Sequence, residues 1–198
     1  MTNRQISAME TRKKILNAGR KIICEKGLGS TSVEEITEAA GVAKGTFYTY
    51  FRRKEEIVFE LSRDMFGEIL ENAKTFPGSF LQKLTCYMVN FSAYIEAGSV
   101  KLAQEWVKTV VCPTPAREGF DRGKLSADLE AAENLILYGI NQKLLRENTP
   151  SAQIAHVIVD LLYGQMLCWS MSDGKYSLRE RTEEFCSRYL EQLLQNYI

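Results

Sequence analysis

The residues with the most concentrated chemistry lie in the segment GVAKGTFYTYF, residues 41–51. It combines two glycines, one lysine, two threonines and four aromatic residues. Hydroxyl and ammonium groups donate hydrogen bonds, and an ammonium group also carries a positive charge. The segment therefore predicts non-covalent recognition of an anionic, hydrogen-bonding partner, and it contains no arrangement for breaking a covalent bond.

A helix over residues 44–51 would place these side chains on different faces. At 100° per residue, Phe47 and Phe51 share one face, which we expect to pack against the preceding helices. Small and polar residues lie roughly opposite, and they would let the helix approach base edges in a DNA major groove ~12 Å wide. This strip consists of Gly45, Thr46 and Thr49.

Tyrosines and lysines border that strip. Tyr48 and Tyr50 flank it, so their hydroxyl groups could reach phosphates on the two walls of the groove. Lys44 stands at the start of the helix and Lys54 follows it, where each could neutralise a phosphate. The alternative is a small amphipathic helix with exposed tyrosines, but the combined arrangement favours DNA.

Two helices must position this segment. The first is predicted at 10–26 and capped by Gly27. The segment STSVEEITEAAG, residues 30–41, opens the second and ends it at Gly41. It contains two overlapping capping-box patterns, Thr31 with Glu34 and Ser32 with Glu35. Two short helices joined by a glycine-containing turn form a helix-turn-helix.

The stretch STSVEEITEAAGVAKGTFYTYFRRKEEIVFEL resembles the DNA-binding region of the TetR family of bacterial transcriptional regulators, over about residues 10–62. The resemblance implies a recognition helix at 44–51. The DNA contacts that it implies come from Ser32, Lys44, Gly45, Thr46, Tyr48, Thr49, Tyr50 and Lys54. One departure is Ala43, where the family often has a serine or threonine. Its missing hydroxyl costs the helix a cap worth ~1 kcal/mol.

Charge is distributed unevenly along a chain that is neutral overall. Residues 1–54 contain 11 Lys or Arg and 5 Asp or Glu, whereas residues 55–198 contain 14 and 20. A basic first part beside an acidic remainder indicates that the first part alone meets a polyanion.

Several other classes of protein are disfavoured. The five scattered cysteines form no C-x-x-C pair, and His156 is the only histidine, so we expect no metal site and no cofactor. No paired carboxylates and no nucleophile with a base are recognisable, and we predict that the chain is not an enzyme. No long apolar segment suggests a membrane span, and we expect a cytoplasmic protein.

The pattern over the whole chain predicts an all-α fold of about nine helices. Residues 1–53 would form a three-helix DNA-binding domain, and residues 54–198 a larger helical domain for effector binding and dimerisation. The long fourth helix, near 54–74, would join the two. A loop or broken helix is expected at 113–124, followed by a helix from Ser126 to about Asn148.

The larger domain offers candidates for two further sites. Aromatic side chains suit an apolar ligand cavity, and the first candidates are Tyr87, Tyr94, Trp106, Tyr138 and Trp169. Packing in the protein's own core is the alternative for each. A DNA reader usually binds as a two-fold dimer, and apolar stripes on the last two helices suit its interface. The residues proposed there are Ile158, Leu162, Phe185, Tyr189, Leu190 and Leu193.

These observations predict a repressor that binds a palindromic operator as a homodimer and is released by a small, largely apolar effector. The alternative is a DNA-binding architectural or partner-recruiting protein that responds to no effector. The sequence leaves open the effector, the operator and the choice between repressor and activator.

Overall fold

The computed structural model describes the backbone of residues 2–111 and 122–198, and their side chains except at 3, 4, 59, 62–66, 109–111 and 122–124. Within these residues the ordered elements are helices, which confirms the all-α prediction. The helices are α1 (Asn3–Lys26), α2 (Val33–Ala40), α3 (Lys44–Tyr50), α4 (Glu55–Thr75), α5 (Phe80–Ala97), α6 (Val100–Val111), α7 (Arg122–Asn141), α8 (Ser151–Met171), α9 (Leu178–Phe185) and α10 (Glu191–Leu194). A π-helical turn, Cys186–Leu190, joins the last two into one continuous helix.

Helix α1 begins seven residues earlier than predicted. Thr2 caps it through a capping box with Gln5, whose side chain accepts a hydrogen bond from the Thr2 amide. The added turns leave Ile6 and Met9 exposed, so they contribute no apolar periodicity from which the start could be predicted. The prediction of a start near residue 10 was wrong because a local cap, rather than core packing, fixes it.

The first core holds α3 in place. Phe47 and Phe51 are buried in it, as predicted from their spacing. The first turns of α4 belong to the same core through Ile57 and Val58. Its buried members are Ile15, Leu16, Ile23, Leu28, Ile36, Phe47, Phe51, Ile57 and Val58.

A larger second core lies among α4, α5, α7, α8 and the final helix. Gly139 on α7 lets that helix approach α5 closely, since a Cβ there would lie 2.5 Å from the Phe80 ring. Helix α8 has the length and composition of a membrane span, with a mean hydropathy of 1.3 over its most apolar window. Of that window 44% is buried inside the protein, and its buried residues include Ile158 and Leu162 of the second core.

Helix α7 differs from its prediction at both ends. It begins at Arg122, and residues 113–121 of the predicted loop lie outside the described part of the chain. It ends at Asn141 rather than near Asn148, because Lys143 adopts a left-handed backbone with φ 57°. The following turn buries Leu145 and donates the Arg146 amide to the carbonyl of Tyr197. Tertiary packing therefore overrides the helix propensity of this segment.

Candidate nucleic-acid interface and ligand cavity

Helix α2 is fixed at both ends by local chemistry. The Ser32 hydroxyl accepts a hydrogen bond from the Glu35 amide, and the Glu35 carboxylate accepts one from the Ser32 amide at 2.8 Å. The hydrogen bond from Lys26, together with those from Ser32, lowers the pKa of Glu35 to about 2. Gly41 ends the helix in the left-handed region at φ 66°, where glycine is strongly favoured.

Helix α3 begins without a side-chain cap. Ala43 occupies the cap position and makes no such hydrogen bond, as its residue type implies. Lys44 forms an ion pair with Glu34 of α2, and this pair lowers the pKa of Glu34 and raises the pKa of Lys44. The pair links the two short helices on the exposed side of the motif, where both side chains are more than half exposed.

The two faces of α3 have different environments. Phe47 is fully buried, and its ring packs edge-on against Tyr48 with 5.4 Å between centroids. Tyr48 itself is 52% exposed to solvent. Lys44, Gly45 and Thr49 are also exposed, and Thr46 is half-buried. Four of the predicted recognition residues of α3, Lys44, Gly45, Tyr48 and Thr49, are therefore exposed to solvent.

Gly45 leaves the exposed surface of α3 without a side chain at one position. A Cβ added there would meet nothing within 4 Å, so the protein's own packing does not require glycine at this position. Its backbone φ is also in the range that other residues adopt. The missing side chain leaves room for close approach by a molecule outside the chain.

Two predicted DNA contacts lie in different surroundings from those expected. Tyr50 is half-buried and packs against the first core. Lys54 donates hydrogen bonds to the carbonyls of Leu28 and Thr31 at 2.8 and 2.6 Å, and so ties α4 to the turn before α2. Spacing along α3 gave no sign of this contact, because it depends on a turn more than 20 residues away in sequence.

A second feature is a cavity of about 40 Å³ beside the first core. Tyr94 and Trp106 line it, and these are two of the five aromatic residues predicted for a ligand site. The full lining is Val58, Phe91, Tyr94, Ile95, Gly98, Leu102, Ala103, Trp106, Asp128, Tyr163 and Met166.

The other three predicted ligand residues lie elsewhere. Tyr87 is buried in the second core, and Tyr138 lies near the ammonium group of Lys83, 5.8 Å from its ring centroid. Trp169 is buried in a small cluster with Leu178 and donates its indole hydrogen to the Tyr176 carbonyl at 2.8 Å. Tyr87 and Trp169 therefore pack in the protein's own core.

The cavity carries a polar group that the sequence did not single out. Asp128 is 4% exposed, and it accepts a hydrogen bond of 2.6 Å from the Tyr163 hydroxyl. Tyr94 donates its hydroxyl to the Leu61 carbonyl of α4 at 2.5 Å. A single aspartate on a helix resembles any surface carboxylate in sequence, and only the packing of α7 on α8 reveals its burial.

Half of the predicted dimer residues cannot contact a partner. Ile158, Leu162 and Leu190 are at most 2% exposed and lie in the protein's own second core, which corrects the prediction. Phe185 and Leu193 are half-buried against the same core, whereas Tyr189 is 57% exposed. Outward-facing apolar residues on α8 are a different set, namely Val157, Leu167 and Met171.

Comparison with known proteins gives this geometry a context. Residues 15–61 match the sequence model described as bacterial regulatory proteins, tetR family. The chain is 25% identical to the HTH-type transcriptional regulator AcrR of Shigella flexneri over 195 residues, which cover 94% of this chain and 91% of that protein. It is 27% identical to a fatty acid metabolism regulator of Bacillus subtilis over 176 residues, covering 83% and 86%. These relatives are regulators, which agrees with the prediction that the chain is not an enzyme.

Solved structures share the fold. A regulator FadR from Bacillus subtilis in complex with stearoyl-CoA superposes with a TM-score of 0.68 at 23% identity, covering 89% of this chain and 96% of that one. A TetR-family regulator from Syntrophomonas wolfei gives a TM-score of 0.71 at 22% identity, covering 93% and 95%. The helix-turn-helix of the chain, residues 15–61, is thus matched in sequence to the TetR family of bacterial regulatory proteins, and its remaining helices share the fold of solved regulators described as TetR-family.

Proposed function

We propose that the chain is a cytoplasmic repressor that binds a palindromic operator as a homodimer and releases it when a small, largely apolar effector binds. The observation that carries the DNA-binding half is the outer surface of α3. Lys44, Gly45, Tyr48 and Thr49 are exposed there together, while Phe47 anchors the helix from behind. Small residues give access to base edges, and the lysine and tyrosine suit phosphates.

A homodimer would present two copies of α3, one from each chain. Two recognition helices related by a two-fold axis read half-sites ~34–36 Å apart, one turn of DNA. We place the interface on the outer faces of α8 and the final helix, which carry the exposed apolar residues Val157, Leu167, Met171 and Tyr189. We also retain the proposed division into residues 1–53 and 54–198, with the first turns of α4 packed against the DNA-binding helices.

The cavity is positioned to influence the DNA-binding helices. Val58 lines it and is also buried in the first core, so one side chain belongs to both. Tyr94 lines it and holds the Leu61 carbonyl of α4. An effector that binds better when the cavity is enlarged would shift both contacts and change the spacing of the two recognition helices. Release requires that difference in affinity between the two states.

Two of the similar structures suit an apolar effector. They are FadR proteins in complex with stearoyl-CoA and lauroyl-CoA, ligands with long hydrocarbon chains. The lining of the cavity in this chain is mainly apolar. At about 40 Å³ it must enlarge before it can hold a molecule of that size.

Selection of bound DNA from a random pool tests the proposal. The full chain is incubated with random duplexes, and the bound fraction is amplified and sequenced over several rounds. We expect two inverted half-sites with centres about 10 base pairs, or a multiple of that, apart. Recovery of unrelated sequences would contradict a sequence-specific dimer, and a single half-site would contradict the dimer alone.

A further inference from the structure

The turn that follows α3 carries an exposed arginine on a fixed backbone. Helix α3 ends at Tyr50, Phe51 is 2% exposed in the first core, and the next residue, Arg52, is exposed. The Arg52 amide donates a hydrogen bond of 2.9 Å to the carboxylate of Glu56, which is itself buried. Buried groups therefore hold the backbone on both sides of Arg52, while the residue itself remains in contact with solvent.

Two exposed lysines of the DNA-binding helices already have anionic partners. Lys26 forms an ion pair with Glu35. Lys44 forms one with Glu34, and both carboxylates belong to the first turn of α2. A DNA phosphate has to compete with these carboxylates before it can bind either ammonium group. In the part of the chain that the structure describes, the guanidinium of Arg52 is in no ion pair, so a phosphate meets no such competitor there.

Lys54, the phosphate contact that the family resemblance implies, is engaged within the chain. Its ammonium group donates hydrogen bonds to the carbonyls of Leu28 and Thr31. An ammonium group has three donors, so at most one of them is left for a phosphate, whereas the guanidinium of Arg52 has five. Full engagement of Lys54 with DNA would also release the carbonyls that tie α4 to the turn before α2.

The position of Arg52 also suits the dimensions of a DNA groove. Helix α3 has seven residues, so at 1.5 Å per residue it is ~10 Å long, and a major groove is ~12 Å wide. Lys44 begins the helix and Arg52 follows its end, so a helix lying across the groove brings one cation toward each wall. The last turn of α3 contains no basic residue, and its partial negative charge would otherwise repel a phosphate.

We propose that the guanidinium of Arg52 binds a phosphate of the DNA backbone beside the C-terminal end of α3, and that Lys54 instead ties α4 to the turn before α2. The inference rests on the proposed DNA-binding function and assigns a contact residue outside the recognition helix. The planar fork of a guanidinium matches two phosphate oxygens at once. Because every step of a duplex carries phosphates, this contact adds affinity without sequence preference.

The salt dependence of DNA binding tests this contact. The logarithm of the binding constant falls with the logarithm of salt concentration, with a slope of about −0.9 for each phosphate neutralised. We expect Arg52→Gln to make the slope shallower by ~0.9 for each bound chain. It should also lower affinity at least about fivefold at about 0.1 M salt, on the selected operator and on random DNA alike. Arg52→Lys keeps the charge and should restore most of the slope. Fluorescence anisotropy measures both quantities.

Two further variants serve as controls. Lys175→Gln removes the same charge from an exposed turn between α8 and α9, and it should keep the wild-type slope. Lys54→Gln should lower the melting temperature, and its folded fraction should keep the slope as well. Circular dichroism establishes that each variant is folded. Equal slopes for Arg52→Gln and Lys175→Gln would overturn the assignment, and so would a loss of affinity in Arg52→Gln that is confined to some sequences.

The wild-type protein separates a failure of this assignment from a failure of the proposed function. If it binds selected operator DNA with a slope that Arg52→Gln leaves unchanged, the assignment of Arg52 is wrong and the regulator proposal stands. If it binds no specific DNA, the proposed function itself fails, whatever the variants give.

Discussion

The ammonium group of Lys44 is held by a carboxylate before DNA arrives. Its partner Glu34 is exposed at the start of α2, on the surface proposed to face the phosphates. In the proposed complex, Lys44 would exchange the Glu34 carboxylate for a DNA phosphate. The negative charge of Glu34 would then lie close to the negative DNA backbone. We therefore expect Glu34 to limit DNA affinity on the proposed surface.

Replacing Glu34 with glutamine should strengthen DNA binding. We expect Glu34→Gln to raise affinity several-fold for both operator and random DNA, because it removes a charge that every phosphate backbone meets. Fluorescence anisotropy at two salt concentrations measures the change. Glu147→Gln, an exposed glutamate in the turn after α7, is the control and should leave affinity unchanged. Weaker binding by Glu34→Gln would contradict this arrangement.

Tyr48 and Thr49 should have separable effects. Tyr48 is more than half exposed and is assigned to a phosphate, so Tyr48→Phe should lower affinity by a similar factor, ~5–10-fold, on all sequences. Thr49 lies on the strip assigned to base edges, so Thr49→Ala should change the preferred sequence. Competition titrations with single-base operator variants distinguish the two. A changed preference in Tyr48→Phe, with none in Thr49→Ala, would reverse the assignments.

At the scale of the element, the cap of α2 should make stability depend on pH in a defined window. The pKa of Glu35 is lowered from 4.5 to about 2 in the folded protein. Its contribution to stability is therefore complete above the unfolded value and is lost as pH falls from 4.5 toward 2. The charge also suits the positive end of the helix dipole.

The variant Glu35→Gln isolates that contribution. Glutamine can still close a capping box, but it does not titrate. We expect melting temperatures measured from neutral to acidic pH to fall less steeply below about pH 4.5 in Glu35→Gln than in the wild type. Glu38→Gln, an exposed change near the end of the same helix, should keep the wild-type slope. Identical slopes in Glu35→Gln and the wild type would contradict the assignment.

Elements fixed by local chemistry were predictable, and those fixed by distant packing were not. The capping box at Ser32 and the left-handed turn at Gly41 are encoded within a few residues, so α2 and α3 could be placed from sequence. Lys54 and Leu145 instead take their roles from contacts with chain segments far away in sequence. No pattern in their own neighbourhood predicted those contacts.

Helix α8 shows that sequence also gives limited information on which residues form an interface. Apolar residues occur on both its inner and outer faces, so periodicity alone does not indicate which face meets the protein's own core. The predicted interface residues Ile158 and Leu162 face inward, while Val157 and Leu167 face outward. Likewise, Tyr94 and Trp106 were predicted for the cavity from residue type alone, and that criterion could not separate them from Trp169.

At the scale of the whole molecule, dimerisation should depend on the outer face of α8. Leu167→Glu places a charge on a side chain that is 40% exposed, so we expect a folded monomer of 22.5 kDa in sedimentation equilibrium. Leu137→Glu on α7 is the matched control, because Leu137 is 39% exposed, and it should leave the dimer intact. If both variants remain dimers, the interface lies elsewhere. If specific DNA binding is lost only in Leu167→Glu, operator binding depends on dimerisation.

Two exposed glycines allow the proposed close contact between the outer surface of α3 and DNA to be measured. Gly45 on α3 and Gly67 on α4 are both exposed helical glycines with nothing within 4 Å of an added Cβ. Leucine at either position should stabilise its helix by ~0.5–1 kcal/mol without a clash. Both variants should therefore fold and melt no lower than the wild type.

Their affinities for the selected operator, measured by fluorescence anisotropy, should differ. Gly45→Leu should bind at least about tenfold more weakly than the wild type, because the new side chain occupies the space into which the groove must come. Gly67→Leu should bind within about twofold of the wild type, since no added contact lies on the proposed surface. Wild-type affinity in folded Gly45→Leu would contradict the claim that this face of α3 reads DNA.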